Sequence, residues 1–235
     1  MTTPTVSGNF WRGFRDGLPF LLVIAPFSIL FGVIATEAGL SLTQVMGFSI
    51  VVVAGAAQFT ALQLMLDDVS TVIVLTTALV VNLRMAMYSA SLAPYLGAAP
   101  LWKRACIAYF NVDQTYALGQ IEYEARPDQP LATKIAYFAG VAAPLCPMWY
   151  LFTYIGAVAG GQIPPEYALD FAVPITFLAL IAPSLKSLAL LAAAMTSIIV
   201  ALLLAGLPSG TGLIVAAIVA MMVGARVELW QGRLA

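Results

Sequence analysis

Histidine is absent from this chain of 235 residues, and charged residues make up only 9% of it. Without histidine, neither a Ser-His hydrolytic triad nor a histidine-ligated zinc site is possible. The chain contains no glycine-rich loop of the type that cradles phosphates, so we expect no ATP-driven step on this chain. No cluster of basic residues suggests nucleic acid. We therefore expect no enzyme, no metal site and no cofactor.

Cysteine is also scarce. The two cysteines, Cys106 and Cys146, both lie inside apolar segments. Their positions indicate neither a disulfide nor a metal site, and we interpret them as small buried hydrophobic residues.

Hydrophobic residues, by contrast, make up 62% of the chain, and the mean hydropathy is +0.97. An average globular domain has roughly 25% charged residues, far more than this sequence. The composition predicts an all-α polytopic membrane protein in which residues 1–235 form a single integral membrane domain.

Hydropathy divides the chain into about eight apolar segments that approach the length of a bilayer span. They cover residues 18–38, 44–66, 71–94, 103–123, 134–159, 168–184, 187–206 and 210–226. The fourth is polar in its middle, at Asn111, Asp113, Gln114 and Gln120, and two alternatives stay open for it: a full span, or a re-entrant or broken helix that leaves seven spans. With eight spans, only Lys103 and Arg104 depart from the positive-inside rule, which therefore favours eight spans and cytoplasmic termini.

An internal repeat is a further possibility. Residues 31–35 and 155–159 have similar sequences, and their glycines, Gly32 and Gly156, are 124 residues apart. Transporters are often built from such repeats, although a short Gly/Ala-rich match also arises by chance.

Arg84 lies in the middle of the third segment, where a charge costs about 2.5–3.5 kcal/mol on insertion scales. Such an arginine usually faces a bundle interior and pairs with an acid. Asp113, in the middle of the next segment, is the expected partner, and we predict a buried Arg84–Asp113 ion pair. The pair either only fixes helix packing or takes part in binding or coupling.

The second segment contains Ala54-Gly55-Ala56-Ala57-Gln58-Phe59. Four small residues followed by an amide predict a close helix contact or a local break. Either the small residues form a packing face, or the backbone near Gly55 and the Gln58 amide contact a polar substrate near the midplane.

These motifs resemble those of the AzlC-type large subunit of branched-chain amino acid exporters, named for azaleucine resistance. Residues 17–32 look like the family's opening segment, and residues 54–59 look like its Gly-Ala-Ser-Gln-Phe motif, with Ala57 in place of serine. Asn82-Leu83-Arg84, followed by Tyr88 to Leu92, is similar to its third-segment signature. Where the family tends to have Thr-Asp-Glu, this chain has Val112-Asp113-Gln114.

The resemblance implies export of leucine, valine, isoleucine or an analogue across a bacterial inner membrane, together with a small AzlD-type membrane partner. We expect secondary active transport, with proton coupling through carboxylates. Arg84 or amides near Gly55 would bind the substrate carboxylate, and Asp113, helped by Asn111 or Gln114, its ammonium group. The remaining candidate site residues are Asn82, Tyr88 and Gln58. A passive channel and a non-transporting scaffold subunit are the alternatives.

Overall fold

The computed structural model describes residues 5–160, 185, 187–207 and 211–232. In this part of the chain the structure is helical and contains no strand. Within the same residues, four helical stretches are long and apolar enough to cross a membrane: Val6–Glu37, Thr71–Leu96, Leu131–Gly160 and Thr211–Gln231. The prediction of an all-α membrane protein is confirmed.

The helices of the described residues are joined by short connections as far as Gly160. They are α1 (Val6–Gly17), a 3-10 turn (Leu18–Phe20), α2 (Leu21–Glu37), α3 (Leu42–Val51), α4 (Gly55–Leu66), α5 (Thr71–Leu96), α6 (Leu101–Tyr109), α7 (Asp113–Ala125), α8 (Leu131–Gly160), α9 (Leu188–Leu203) and α10 (Thr211–Gly232).

Two of the predicted segments differ from a continuous span. Segment 44–66 is divided into α3 and α4 by residues 52–54, and segment 103–123 is divided into α6 and α7 by residues 110–112. The first break follows a β-branched run, Ile50 to Val53, and precedes Gly55, a combination with low helix propensity. The structure thus has the break that was one of two alternatives for the second segment, and it has a broken helix where the positive-inside rule favoured a full fourth span. The predicted segment 168–184 lies outside the described residues.

The chain divides into two compact units, Met1–Leu66 with Val74–Tyr167, and Asp67–Ile73 with Ala168–Ala235. In the second unit α9 and α10 pack against each other in opposite directions, because Gly224 lies beside Ala193 and Gly212 lies beside Leu204. The prediction of one domain stays a prediction.

The first unit is built on a close contact of α1 and α2 with α8. A Cβ atom at Gly32 would collide with the Thr153 carbonyl, and one at Gly156 would collide with the Ile29 carbonyl. The contact is therefore reciprocal, because Ile29 and Gly32 lie 124 residues before Thr153 and Gly156. This is the same spacing that suggested an internal repeat, and the repeat itself stays a prediction.

Aromatic side chains fill the space between α2, α4 and α8. The rings of Phe27 and Phe59 lie 4.8 Å apart in an edge-to-face arrangement, and Phe31 packs against Phe59 at 5.5 Å. Trp149 of α8 packs against Phe27. These rings fix the level at which the α3–α4 break sits.

Candidate functional site

The second helix break places Asp113 at the first residue of α7. Thr115 closes this end of the helix: its hydroxyl accepts from the Val112 amide at 2.8 Å and donates to the Phe110 carbonyl at 2.9 Å. A carboxylate is favoured at a helix N-terminus because the unpaired amides and the helix dipole are positive there. The break therefore places the Asp113 side chain at the start of α7, where the helix favours a negative charge.

Arg84 and Asp113 form the predicted ion pair. The Arg84 Nη1 atom lies 3.2 Å from Asp113 Oδ2. The two side chains remain 32% and 43% exposed, so the prediction that the pair is buried is wrong. The reason is local: no helical turn precedes Asp113 to cover it. Within the pair, Arg84 Nε and Asp113 Oδ1 are themselves buried and have no hydrogen-bond partner in the described structure, so each side chain keeps one unused polar atom.

Tyr88 lies one helical turn after Arg84 and completes the surface beside the pair. Its ring stacks on Tyr116 of α7, with 4.1 Å between centroids and 8° between planes. Its hydroxyl lies close to the Asp113 carboxylate. The stack holds α5 and α7 in register next to the ion pair.

Asn111 lies within the break itself and is 3% exposed. Its amide nitrogen donates to the Ser89 hydroxyl at 3.2 Å, while its Oδ1 has no hydrogen-bond partner in the described structure. A cavity of about 210 Å³ between α5 and α6 runs from Arg104 to Asn111, with mostly aliphatic walls. Asn111 thus offers an unused acceptor at the inner end of an apolar cavity.

Among the described residues, neither Asn82 nor Gln114 forms a hydrogen bond with Arg84 or Asp113. Both are half-buried, and Asn82 Oδ1 has no hydrogen-bond partner there. The polar residues of the fourth predicted segment do not lie on one continuous helix, because the chain breaks between Tyr109 and Asp113.

Gln58 and Gly55 organise the other break. The Gln58 side chain is fully buried, and its Nε2 donates to the Val52 carbonyl at 2.7 Å and to the Phe48 carbonyl at 3.2 Å. Gly55 packs so closely on the rings of Phe27 and Trp149 that a Cβ atom would not fit. The structure thus gives Gln58 a role in holding the break and Gly55 a role in packing.

Tyr109 connects the two breaks, a role that its sequence position does not indicate. Its hydroxyl donates to the Ile50 carbonyl at 2.6 Å and lies 2.9 Å from the Tyr150 hydroxyl. Tyr109 is the last residue of α6 and Ile50 the last but one of α3, so both chain breaks lie at the same level.

A second charged cluster joins α1 to α7 and was not expected. Arg12 contacts Glu122, whose side chain is 10% exposed and also accepts from Arg126 at 3.2 Å and from Gln129 at 2.9 Å. The sequence suggested only flanking charges here. Arg126, four residues after Glu122, was the available signal of a local pair.

No group of three or more potential metal ligands occurs among the described residues. Comparison with known proteins identifies the family of the chain. Residues 19–163, more than half of the chain, match the model of the AzlC protein family. The chain is also 26% identical over 186 residues to the inner membrane protein YgaZ of Escherichia coli strain K12, covering 77% of this chain and 75% of that protein. No solved structure matches. The chain belongs to the AzlC family.

Proposed function

We propose that this protein is a secondary active transporter that exports branched-chain amino acids: leucine, valine, isoleucine or an analogue. Its family and its inner-membrane relative support a transport-related role. The observation that carries the proposal is the accessible Arg84–Asp113 pair beside a helix break. Ionisable groups inside membrane segments mark substrate or ion pathways, and broken helices often form the binding sites of transporters.

The pair suits a zwitterion. The Arg84 guanidinium would bind the substrate carboxylate, and Asp113 its ammonium group, with the Asn111 Oδ1 atom as a second acceptor. The aliphatic walls of the adjacent cavity would receive the side chain. Amides near Gly55 are the less favoured carboxylate site, because Gly55 is covered by Phe27 and Trp149.

Proton coupling would use carboxylates, because the chain contains no histidine. Asp113 is the candidate at the site, and Glu122 is a second, more buried carboxylate on the same helix. A small AzlD-type membrane subunit would complete the exporter. We place the protein in the bacterial inner membrane with both termini in the cytoplasm.

Counterflow of radiolabelled leucine in proteoliposomes, with and without the small partner, tests this function. Arg84→Ala and Asp113→Asn each remove one charge-assisted contact, worth about 1.5–3 kcal/mol. We therefore expect about tenfold or greater loss of the counterflow rate, since 1.4 kcal/mol is about tenfold. Arg15→Ala, which removes an exposed arginine of α1, is the matched control and should transport normally.

The charge swap Arg84→Asp with Asp113→Arg separates binding from packing. The swapped pair can still join α5 to α7, so the protein should reach the membrane, yet it presents the wrong charge to each end of the substrate. Normal transport by the swapped protein would assign the pair to packing alone. Downhill flux without counterflow would favour a channel, and no flux with the partner present would favour a scaffold subunit.

A further inference from the structure

The directions of the helices in the first unit follow from contacts along their lengths. Phe10 and Gly13 of α1 contact Gly140 and Tyr137 near the start of α8. Val33 of α2 contacts Gly160, the last residue of α8. The stretch α1–α2 therefore runs parallel to α8. We call the end at which α1 and α8 begin the basal end, and the end at which α2 and α8 finish the distal end.

Helix α5 runs the other way. The ring of Tyr95, near its C-terminus, lies 5.5 Å from that of Tyr123 and 5.4 Å from the Lys134 Nζ atom in the first turn of α8. This helix thus finishes at the basal end. Its 26 residues extend about 39 Å at 1.5 Å per residue, more than a hydrocarbon core of about 30 Å. It must therefore begin at the distal end.

Helices α3 and α4 both connect to the distal end. Residues 38–41 join α3 to the end of α2, and residues 67–70 join α4 to the start of α5. With 10 and 12 residues, they are about 15 and 18 Å long, roughly half of the core. Near the break, Gly55 packs on Phe27 and Trp149, in the middle of α2 and α8. Helix α3 therefore runs from the distal end to the middle of the membrane, and α4 runs back to the distal end.

Helices α6 and α7 do the same from the basal end. Asn111, just after the end of α6, bonds to Ser89, and Arg104 near the start of α6 lines a cavity together with Gly97. Helix α6 therefore runs back along α5. Helix α7 then runs parallel to α5, as its paired contacts show. They are Asp113 with Arg84, Tyr116 with Tyr88, Gly119 with Leu92 and Tyr123 with Tyr95.

The distribution of charge agrees with this arrangement and orients it. Arg12, Arg15, Lys103, Arg104, Arg126 and Lys134 all lie at the basal end. The distal connections 38–41 and 67–70 contain no lysine or arginine. The positive-inside rule then makes the basal end cytoplasmic. Lys103 and Arg104, the two exceptions under eight spans, no longer depart from the rule.

We propose that α3–α4 and α6–α7 are two re-entrant hairpins, which enter the membrane from opposite faces and meet at its centre. They touch where the Tyr109 hydroxyl binds the Ile50 carbonyl. Each tip carries a buried amide with an unpaired oxygen, Gln58 Oε1 and Asn111 Oδ1, as an acceptor for a substrate ammonium group. The topology is independent of the proposed function, whereas the role of the two tip amides as substrate acceptors rests on it.

Two connections lie on different faces of the membrane in the two topologies. With eight full spans, residue 70 is cytoplasmic and residue 98 is outside, whereas the hairpins place residue 70 outside and residue 98 in the cytoplasm. We would introduce Ser70→Cys or Ala98→Cys, both at exposed positions, into a Cys106→Ser/Cys146→Ala background. Glu37→Cys and Asp128→Cys are the controls, expected outside and inside in both topologies.

Labelling with a membrane-impermeant maleimide in intact cells, and again after permeabilisation, gives the readout. Labelling after denaturation in SDS verifies that each protein is present. We expect residue 70 to react in intact cells and residue 98 only after permeabilisation. The reverse pattern, or both residues reacting from one face, overturns the proposal. Neither result depends on transport, so a failure here is distinct from a failure of leucine counterflow.

Discussion

Gln58 shows how a single side chain can stabilise an interrupted helix. The last carbonyl groups of any helix lack amide partners within it, and inside a membrane no solvent supplies them. The Gln58 amide donates to two carbonyls at the end of α3, those of Phe48 and Val52. The residue that the sequence suggested as a substrate contact is thus also the donor that makes the break possible.

We expect Gln58→Leu to lower the stability of the protein. The substitution leaves the Val52 carbonyl without its side-chain donor and the Phe48 carbonyl with the Val52 amide alone. A buried unpaired group costs about 1–3 kcal/mol. The measurement is the thermal unfolding midpoint in detergent. Thr60→Val, which removes a hydroxyl bonded only to the Ala56 carbonyl of its own helix, is the control. Equal midpoints for the Gln58→Leu and unsubstituted proteins would show that other groups satisfy these carbonyls.

Single residues also show what the sequence could predict about the site. Arg84 had to have a partner because of its cost in the membrane, so its pairing with Asp113 was predictable. The contact between Arg12 and Glu122 was not, because both lie near segment ends, where charges are usually solvated. Their pairing depends on a tertiary contact between α1 and α7, and no local sequence pattern predicts that contact.

At the scale of helices, the contact between α1–α2 and α8 depends on glycine. Hydrophobic burial alone does not bring membrane helices together, and small residues allow backbones to approach closely. Gly32 and Gly156 face the backbone of the opposite helix without room for a methyl group. Close approach also brings the Thr36 hydroxyl within 3.3 Å of the Ala157 carbonyl.

Gly156→Ala should therefore destabilise the protein, by about 1–3 kcal/mol for an overpacked interface. The matched control is Gly47→Ala, also within a helix but with no atom within 4 Å of the added methyl group. It should leave the protein unchanged or stabilise it by up to about 1 kcal/mol, because alanine is the better helix former. Unfolding midpoints in detergent provide the comparison. If the two variants were equally stable, the contact would not be tight.

Helix positions were more predictable from the sequence than helix directions. Segments 71–94 and 134–159 agree with α5 and α8 within a few residues. Segment 44–66, however, contains two half-length helices whose combined length equals that of one span. Hydropathy measures the length of an apolar run. It does not distinguish one helix that crosses the membrane from a re-entrant hairpin of two half-length helices. The two topologies are distinguished by tertiary contacts: Tyr95 of α5 and Phe10 of α1 both pack near the start of α8.

At the scale of the whole first unit, the two proposed hairpins give one structural basis for alternating access. Helices α1, α2 and α8 form a frame held by glycine contacts, whereas the contact between the tips is the hydrogen bond from the Tyr109 hydroxyl to the Ile50 carbonyl. The frame is expected to stay fixed, and the tips are the elements that can separate. The Arg84–Asp113 pair lies beside one tip, so movement there would change the exposure of the substrate.

A cross-link between the tips tests this division. The Tyr109 side chain spans the gap between the tips, so a direct disulfide would be too short. In the background without native cysteines, a bifunctional methanethiosulfonate reagent would instead join Ile50→Cys to Tyr109→Cys. Thr36→Cys with Ala157→Cys would join two members of the frame and is the control. Each protein is compared before and after cross-linking, so the loss of the Tyr109 hydroxyl affects both measurements equally.

We expect cross-linking to stop leucine counterflow in the tip pair, because substrate cannot pass tips that are held together. Dithiothreitol, which reduces the disulfides of the cross-link, should restore it. Cross-linking of the frame pair should leave counterflow unchanged, because α2 and α8 do not need to separate. Formation of each cross-link is verified by mass spectrometry of the purified protein. Full counterflow by a protein cross-linked at the tips would mean that the hairpins stay fixed during transport and that substrate passes elsewhere.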